Sequence, residues 1–253
     1  MSYNLNNPIA ERKTKTVYKD GNKKIKLFVE DYSKANILNE ALNQARVEDG
    51  TNLNIPKLLE VTKIENRWAF VTEYVEGNTL EELMEKYPEK ADEYLEKFVD
   101  IQLEIFAQNV PLLNQIKDKF KRKISQAKNI DETTRYELLQ RLEGMRYHTK
   151  LCHGDFNLSN VIISNDGKYY VIDWSHVTQG NASADVARTY LLFSMQGKTE
   201  LAEKYMQLFS RKSGIETKYI QSWLPIVAAT QMTKEIPEEQ EFLKKWIDVV
   251  EYQ

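Results

Sequence analysis

The sequence is poor in cysteine, which limits the covalent and metal chemistry available to it. Cys152 is the only cysteine among 253 residues. A single thiol excludes a disulfide within the chain and a zinc site built from several cysteines. Such cysteine usage is typical of proteins that work in a reducing compartment, so we expect a cytoplasmic protein.

Long apolar runs and a large net charge are also missing. No segment approaches the roughly 20 consecutive apolar residues that span a bilayer, and the start, MSYNLNNPIAERK, lacks the apolar core of a signal peptide. The net charge is −3, which argues against nucleic-acid binding through a generally basic surface. We therefore expect neither a membrane nor a nucleic acid as partner. The sequence gives no information on oligomeric state.

The distribution of strand and helix patterns divides the chain into two parts. Hydrophobic residues make up 42% and charged residues 29% of the sequence, as in globular proteins. Strands are predicted at 15–19, 24–28, 55–61 and 68–75, with an amphipathic helix at 32–47. Helices predominate afterwards, at about 95–106, 113–124, 136–145, 183–196, 199–213, 216–233 and 237–252. The change follows Glu76 and precedes a capping box at Thr79-Leu80-Glu81-Glu82. We therefore predict an N-terminal lobe at 1–76 and a C-terminal lobe at 77–253.

The most informative stretch is LCHGDFNLSNVIISNDGKYYVIDWS, residues 151–175. Its β-branched and aromatic runs at 161–163 and 169–172 are typical of strands, and Asn165-Asp166-Gly167 between them favours a tight turn. The stretch therefore predicts a β-hairpin.

This hairpin is expected to gather three oxygen-bearing side chains at one edge. Asp155 and Asn160 precede its first strand, and Asp173 follows its second strand. Carboxylate and amide oxygens suit Mg²⁺, which takes one or two protein ligands and completes its shell with water and phosphate. The pattern therefore indicates phosphate chemistry.

One pattern in this stretch resembles the catalytic segment of aminoglycoside phosphotransferases and choline-kinase-like enzymes, which are relatives of protein kinases. The pattern is His153-Gly154-Asp155, then Asn160 after four further residues, and later Asp173-Trp174. The likeness extends over almost the whole chain. It includes Lys26 on a strand, Glu40 on a helix, a hinge-like segment at 73–77 and the helix start Asp185-Val186-Ala187-Arg188. By this resemblance the fold is α+β and bilobal, like that of protein kinases, with a small β-rich lobe, a larger helical lobe and a catalytic β-hairpin.

The resemblance implies an ATP-dependent phosphotransferase that moves the γ-phosphate to a hydroxyl of a small molecule, such as an amino sugar or an amino alcohol. GTP stays open as an alternative to ATP. Asp155 would act as the catalytic base, and Asn160 and Asp173 would hold Mg²⁺. His153 and Asp185 would brace the catalytic loop from a second layer.

The resemblance also assigns the nucleotide contacts. Lys26 would reach the α- and β-phosphates, and Glu40 would pair with Lys26 and fix its direction. Backbone groups near Glu73 and Val75 would bind adenine. Lys24 competes with Lys26, because it lies two residues away on the same face of the strand.

Two features differ from protein kinases: the first leaves an alternative function open, and the second argues against a protein kinase. The segment 11–16 contains no glycine, whereas protein kinases cover the phosphates with a glycine-rich loop. This departure supports a second hypothesis, a nucleotide-binding, pseudokinase-like regulator with little transfer activity. Only 11 residues, 174–184, separate Asp173 from Asp185, which is too short for a peptide-docking segment and disfavours a protein kinase.

A run of glutamates near the C-terminus has two interpretations. The run consists of Glu235, Glu238, Glu239 and Glu241. Such a run is usually a solvated helix face. The other interpretation is an acidic rim that binds a cationic acceptor, so a cationic substrate stays open.

Overall fold

The computed structural model describes residues 3–247. Its strands are β1 (Pro8–Arg12), β2 (Lys15–Asp20), β3 (Lys23–Phe28), β4 (Leu58–Ile64), β5 (Arg67–Glu73), β6 (Gly77–Thr79), β7 (Lys150–Cys152), β8 (Val161–Ser164), β9 (Tyr169–Val171) and β10 (Thr178–Gly180). Its helices are α1 (Lys34–Gly50), α2 (Leu80–Lys86), α3 (Ala91–Ala107), α4 (Ile116–Gln126), α5 (Glu132–Gly144), α6 (Ala182–Met195), α7 (Thr199–Ser213), α8 (Thr217–Gln221), α9 (Leu224–Met232) and α10 (Pro237–Ile247). The predicted α+β class is confirmed, because an antiparallel sheet precedes a helical region.

The packing divides the chain into two compact units. The first unit contains the described residues up to Lys90 together with Leu158–His176, and the second contains Ala91–Asn157 and the described residues from Val177 onward. The boundary between Asn157 and Leu158 therefore falls inside the motif that the sequence singled out. The division into lobes at residue 77 stays a prediction. It assigns residues 77–90 and 158–176 to the C-terminal lobe, whereas the packing assigns them to the first unit.

The first unit is built on a five-stranded antiparallel sheet in the order β1-β2-β3-β5-β4. Alternation along β3 and β5 separates two apolar clusters on opposite faces of this sheet. One face buries Ile25, Leu27, Ala69 and Val71, and the other packs Phe28 and Phe70 against Ile37 and Ala41 of α1. Because Lys26 and Phe28 are two residues apart, the side chain of Lys26 lies on the face that α1 covers.

The first unit also contains a three-stranded sheet in the order β6-β8-β9. Its β8–β9 pair is the hairpin predicted from the sequence, with Gly167 at φ +81° in the turn. Gly77 of β6 lies so close to β8 that a Cβ at this position would clash with the carbonyl of Ile163. The predicted capping box begins α2, since Thr79 and Glu82 each accept a hydrogen bond from the backbone of the other.

The second unit is helical and packs around α6, which is buried over most of its length. Aromatic side chains fill its interior, with Phe98 stacked on Phe156 and Phe193 edge-on to Tyr205. The short strands β7 and β10 pair beside these helices. Gly180 at the end of β10 lies against the first residue of α4, where a Cβ would clash with the side chain of Ile116.

The structure corrects several details of the predicted elements. Strand β1 was not predicted, and the single helix predicted at 216–233 is wrong, because α8 ends before Trp223 and α9 begins just before Pro225. The predicted end of the last helix at 252 lies outside the described residues. Within residues 3–247, no helix combines the length and the apolar character needed to cross a membrane.

Candidate functional site

In the first unit, Lys26 forms a buried ion pair with Glu40. Strand β3 presents Lys26 toward α1, where its Nζ lies 2.7 Å from Oε1 of Glu40. The same Nζ lies 3.0 Å from Oδ1 of Asp173, which follows β9. Lys26 and Glu40 are 5% and 6% exposed. The structure therefore brings together three of the predicted site residues from three separate elements.

The charges of this group stabilise one another. Burial opposes charge on the ammonium, but the carboxylates of Asp173 and Glu40 outweigh burial and raise the pKa of Lys26. Lys26 and Lys15 likewise outweigh burial at Asp173 and hold the pKa of its carboxyl well below its usual range. Lys15 Nζ lies 3.6 Å from Asp173 Oδ2. Lys26 and Asp173 are therefore both charged at neutral pH.

The structure also distinguishes Lys26 from Lys24, the competing lysine on β3. Burial, followed by the positive charge of Lys26, lowers the pKa of Lys24 to about 8. Lys26, in contrast, is held by two carboxylates at hydrogen-bonding distance. The structure therefore favours Lys26 as the fixed cation of this strand.

Asp173 has an unusual backbone conformation. Its φ is +65°, a value that few residues other than glycine adopt, although Asp and Asn tolerate it better than most. Strained backbones of this kind cluster at functional sites. The conformation comes directly after β9 and before a 3₁₀ turn at Trp174–His176.

Asn160 lies beside the end of the same hairpin. It ends a 3₁₀ turn at Leu158–Asn160, is 9% exposed, and its carbonyl accepts a hydrogen bond of 3.0 Å from the N–H of Ile172. Ile172 directly precedes Asp173, so the hairpin brings the backbones of the two predicted metal ligands close together. Across the described part of the chain, no cluster of three His, Cys, Asp or Glu residues could hold a metal ion.

The predicted hinge residues Glu73 and Val75 line a cleft of the first unit with a volume of about 400 Å³. Its other lining residues are Asn22, Tyr74, Glu76, Ser164, Asn165, Asp166 and Tyr170. The N–H of Tyr74 donates to the carbonyl of Asn22 at 2.8 Å, and Oε2 of Glu73 accepts from the N–H of Lys57 at 3.1 Å. These bonds fix the backbone of the hinge segment.

In the second unit, Asp185 organises the backbone of the His153-Gly154-Asp155 segment. Its carboxylate accepts hydrogen bonds from the N–H of His153 at 3.1 Å and of Gly154 at 2.7 Å. Gly154 has φ +80°, and the N–H of Asp155 donates to Nδ1 of His153 at 3.3 Å. Burial raises the pKa of Asp185, and the two N–H groups that it accepts from oppose that rise. His153 and Asp185 thus shape the loop that carries Asp155.

Asp155 itself is in contact with a cation that the sequence did not assign to the site. Arg188 Nη2 lies 3.3 Å from Oδ1 of Asp155. Arg188 Nη1 donates to Oε1 of Gln231 at 2.5 Å, and Nε2 of Gln231 donates to Oε2 of Glu239 at 2.6 Å. Arg188 and Gln231 are buried. A continuous series of side-chain contacts therefore runs from Asp155 to Glu239.

Three lysines lie within electrostatic range of this series. Burial, followed by the charges of Lys123 and Arg188, lowers the pKa of Lys119 to about 7. Burial and then Arg188 lower the pKa of Lys123 to about 8. Desolvation and then the charge of Arg188 lower the pKa of Lys234, and the charge of Asp155 opposes this shift. The residue as a whole is exposed. Within the second unit, Asp155 thus contacts Arg188 and lies within electrostatic range of Lys119 and Lys234.

Helical spacing is the sequence signal that could have pointed to Arg188, Lys119 and Lys123. Arg188 follows Asp185 by three residues on α6, and Lys123 follows Lys119 by four on α4. Residues at these spacings share a helix face. Sequence alone could not show that α4, α6 and the end of α9 bring those faces together.

The comparisons with known proteins agree with this geometry. A profile described as the phosphotransferase enzyme family matches residues 24–217, which is more than half of the chain. A comparison with curated proteins finds no match.

Solved structures with low sequence identity show the same fold. One is a thermostable mutant of aminoglycoside phosphotransferase APH(4)-Ia in a ternary complex with AMP-PNP and hygromycin B, with 16% identity and a TM-score of 0.69 over 95% of this chain and 89% of that one. Another is choline kinase LicA from Streptococcus pneumoniae, with 17% identity and a TM-score of 0.64 over 95% and 92%. A third is the GDP complex of a mutant of aminoglycoside 2'-phosphotransferase IIIa, with 14% identity and a TM-score of 0.60 over 98% and 90%. These likenesses confirm the protein-kinase-like fold.

Proposed function

This chain belongs to the phosphotransferase enzyme family, and from that premise we propose that it transfers the γ-phosphoryl group of ATP to a hydroxyl of a small molecule. Family membership makes the chain a small-molecule kinase. The nucleotide, the metal and the roles of individual residues belong to the proposal.

The observation that carries the proposal is the position of Lys26 between two carboxylates, 2.7 Å from Glu40 and 3.0 Å from Asp173. Phosphoryl transfer needs little covalent chemistry from the protein, because catalysis depends on positioning and on neutralising phosphate charge. A buried lysine held in one direction by Glu40 supplies a fixed positive charge for the α- and β-phosphates. Such a buried group is difficult to explain by stability alone, since burying an ion pair is costly.

In the proposed step, Asp155 accepts the proton of the acceptor hydroxyl while the hydroxyl oxygen bonds to the γ-phosphorus. The bond between that phosphorus and the β,γ-bridging oxygen breaks, and ADP leaves with the electron pair. His153 and Asp185 hold the backbone on either side of Gly154 and so fix the direction of the Asp155 side chain. They act on the reaction only through Asp155.

Asn160 and Asp173 would hold Mg²⁺. Their amide and carboxylate oxygens are hard donors, and two protein ligands suffice for an ion that keeps water and phosphate in its other positions. The depressed pKa of Asp173 keeps this carboxylate charged across the neutral range. When bound, the ion would neutralise charge on the nucleotide phosphates.

ATP is the proposed donor, and GTP is an alternative. One solved neighbour binds AMP-PNP and another binds GDP, so this fold accommodates either base. Backbone groups of Glu73 and Val75 would bind the base beside the cleft that both residues line. We also propose a cytoplasmic location, in keeping with the single, buried Cys152.

A nucleotide-binding regulator with little transfer activity is the second candidate. The turn between β1 and β2, at Lys13-Thr14, contains no glycine, so close approach of its backbone to phosphate is not favoured. Lys15 directly after this turn pairs with Asp173, which would compete with metal binding. Asp155 is present at the catalytic-base position of the motif, and a regulator would not need it, so this residue favours the enzyme over the regulator.

The experiment that tests the proposal is an ADP-release assay over a panel of amino sugars, amino alcohols, sugars and hydroxy acids, with Asp155→Asn as the blank. Acceptor-dependent ADP release that Asp155→Asn abolishes is expected. Thermal stabilisation by nucleotide without ADP release toward any acceptor would instead favour the regulator.

A further inference from the structure

We propose that Lys15 binds the γ-phosphate of the nucleotide, and that its side chain takes the place of the backbone amides with which a glycine-rich loop covers the phosphates in protein kinases. This inference rests on the proposed function, because it adds a phosphate contact to the donor site of that reaction. In the structure the same ammonium pairs with Asp173, so the proposal also predicts that Lys15 changes its partner when a nucleotide binds.

The connection between β1 and β2 is a tight turn whose backbone is already held. Arg12 pairs with Lys15, so only Lys13 and Thr14 lie between the two strands, and neither is glycine. The carbonyl of Thr14 accepts a hydrogen bond of 3.0 Å from the N–H of Val29, just beyond β3. Glycine is the residue that allows a backbone to approach a ligand closely. Side chains are therefore the donors that this segment can offer to phosphate.

Lys15 is the first residue of β2, and its side chain lies on the same face of the sheet as that of Lys26. Its partner on β3 is Phe28, and residues directly opposite in an antiparallel pair share a face. Phe28 and Lys26 are two residues apart on β3, so they share that face as well. The Lys15 ammonium lies 6.0 Å from the centre of the Phe28 ring, and Phe28 is 1% exposed. A rigid aromatic ring thus supports the lysine side chain.

The two lysines meet at one carboxylate within the first unit. Lys15 Nζ lies 3.6 Å from Oδ2 of Asp173, and Lys26 Nζ lies 3.0 Å from Oδ1. The longer distance exceeds that of a hydrogen bond, so the contact of Lys15 is an ion pair only. The Lys15 side chain is 21% exposed, and that of Lys26 is 7% exposed. Lys15 is therefore the looser and more accessible cation, and it can exchange Asp173 for another anion at little cost.

The register along β3 indicates which phosphate Lys15 would reach. Lys23, at one end of β3, pairs with the hinge residue Glu73. Lys26 lies three residues farther along the strand, and Phe28, opposite Lys15, lies two residues beyond Lys26. Two strand residues correspond to about 7 Å. A nucleotide with its base at the hinge and its α- and β-phosphates at Lys26 would therefore extend its last phosphate toward Lys15.

Charge explains why Lys15, and not Lys26, should change its partner. Asp173 is a proposed ligand of Mg²⁺, and a cation held there would repel the ammonium of Lys15. The γ-phosphate offers that ammonium a new anion, in a contact strengthened by charge on both groups. Lys26 keeps the carboxylate of Glu40 at 2.7 Å and so stays in place. The two lysines thus divide the phosphate groups between a fixed cation and a movable one.

A competing explanation is that Lys15 is only a counter-ion of Asp173, which must be displaced before a metal binds. The two explanations differ in how a nucleotide with a γ-phosphate compares with one that lacks it. A γ-phosphate contact predicts that loss of the ammonium weakens the triphosphate form alone. A mere counter-ion predicts that its loss strengthens binding of both forms equally.

The test measures binding of AMP-PNP and ADP to the full chain by calorimetry in the presence of Mg²⁺. GMP-PNP and GDP are measured in parallel, because GTP is an alternative donor. The variants are Lys15→Met, Lys15→Gln and Lys15→Arg, with Lys13→Met as the matched control. Lys13 is an exposed lysine in the preceding turn. Circular dichroism and thermal unfolding establish which variants are folded.

The expected result is a change in preference between the two forms of the nucleotide. Lys15→Met and Lys15→Gln should weaken binding of AMP-PNP about tenfold, as expected for the loss of a charge-assisted contact, and should leave the affinity for ADP unchanged or higher. Lys15→Arg keeps the positive charge and should retain most of the affinity for AMP-PNP. Lys13→Met should behave like the wild type toward both compounds.

The other outcomes separate this inference from the proposed function. Equal changes in the affinity for AMP-PNP and ADP, no change in either, or the same effect in Lys13→Met overturn the inference, and the kinase proposal stands if the wild type still transfers phosphate to an acceptor. The expected change in preference without transfer to any acceptor supports the γ-phosphate contact and overturns the kinase proposal. A wild-type chain that binds no nucleotide overturns both.

Discussion

The guanidinium of Arg188 lies 3.3 Å from the carboxylate of Asp155, so the residue proposed as the base is held by a buried cation before any substrate binds. This contact fixes the carboxylate from the side of α6, and Asp185 fixes its backbone through His153 and Gly154. Asp155 is thus oriented by two residues that lie three positions apart on one helix.

Replacing the proposed base should stop the reaction and leave the protein folded. We expect Asp155→Asn to lower kcat by about 100-fold or more, since a positioned acid or base contributes on the order of 10² to 10⁴. Affinity for AMP-PNP, measured by calorimetry, should change little, because Asp155 is assigned to the acceptor. A variant that retains more than a tenth of the wild-type kcat contradicts the assigned role.

Breaking the ion pair of Lys26 should cost stability as well as activity. Lys26→Met leaves the carboxylates of Glu40 and Asp173 facing one another, and loss of one partner from a buried pair costs about 3–5 kcal/mol. The measurement is the free energy of unfolding in urea. The double variant Lys26→Met/Glu40→Gln should recover part of that loss, because it removes one of the two carboxylates.

Lys24→Met provides the matched control for this pair. It removes a lysine from the same face of β3, and burial together with Lys26 already lowers the pKa of Lys24. Its removal should therefore be neutral or stabilising at pH 7 and should leave nucleotide affinity near that of the wild type. If Lys24→Met lowers nucleotide affinity more than Lys26→Met, Lys24 is the phosphate-binding lysine.

Two substitutions of Asp173 separate the loss of a proposed metal ligand from the cost of its backbone conformation. At φ +65°, alanine should cost about 1 kcal/mol more than asparagine, which tolerates the left-handed region. Both Asp173→Asn and Asp173→Ala remove a proposed metal ligand, so both should lose Mg²⁺-dependent transfer. Denaturant unfolding should rank asparagine as the more stable variant. Equal stability of the two variants would show that the backbone conformation adds no cost.

Two glycines offer a matched test of close packing. Gly77→Ala places a Cβ against the carbonyl of Ile163 and should lower the free energy of unfolding by about 1–3 kcal/mol. Gly144→Ala, at a position where a Cβ meets nothing within 4 Å, should be neutral or slightly stabilising. Similar losses for both variants would contradict the packing argument.

The sequence predicted those parts of the fold that have a local signal. The hairpin of β8 and β9 follows from alternating strand residues around a glycine turn, and α2 follows from its capping box. Strand β1 has no such signal, since most of its residues are exposed and its existence depends on backbone pairing with β2. The break between α8 and α9 was missed because apolar residues continue across it.

In the candidate site, too, some residues have a signal in the sequence and others depend on how the helices pack. Lys26, Glu40 and Asp173 were predicted from the motif pattern, and the structure brings them together across 147 residues of chain. The contact between Arg188 and Asp155 was not predicted, because it depends on where α6 packs. No motif marks Lys119, Lys123 or Lys234, so the sequence offered no reason to consider them near Asp155.

The missing side chain of Gly180 has a consequence for how the position of α4 could evolve. Ile116 fills the space in which a Cβ of Gly180 would lie, so this contact sets the starting point of the helix that carries Lys119 and Lys123. A larger residue at position 180 would shift that helix and both of its cations together. Substitutions at position 180 should therefore act at a distance, through the placement of a neighbouring helix rather than through contacts of their own.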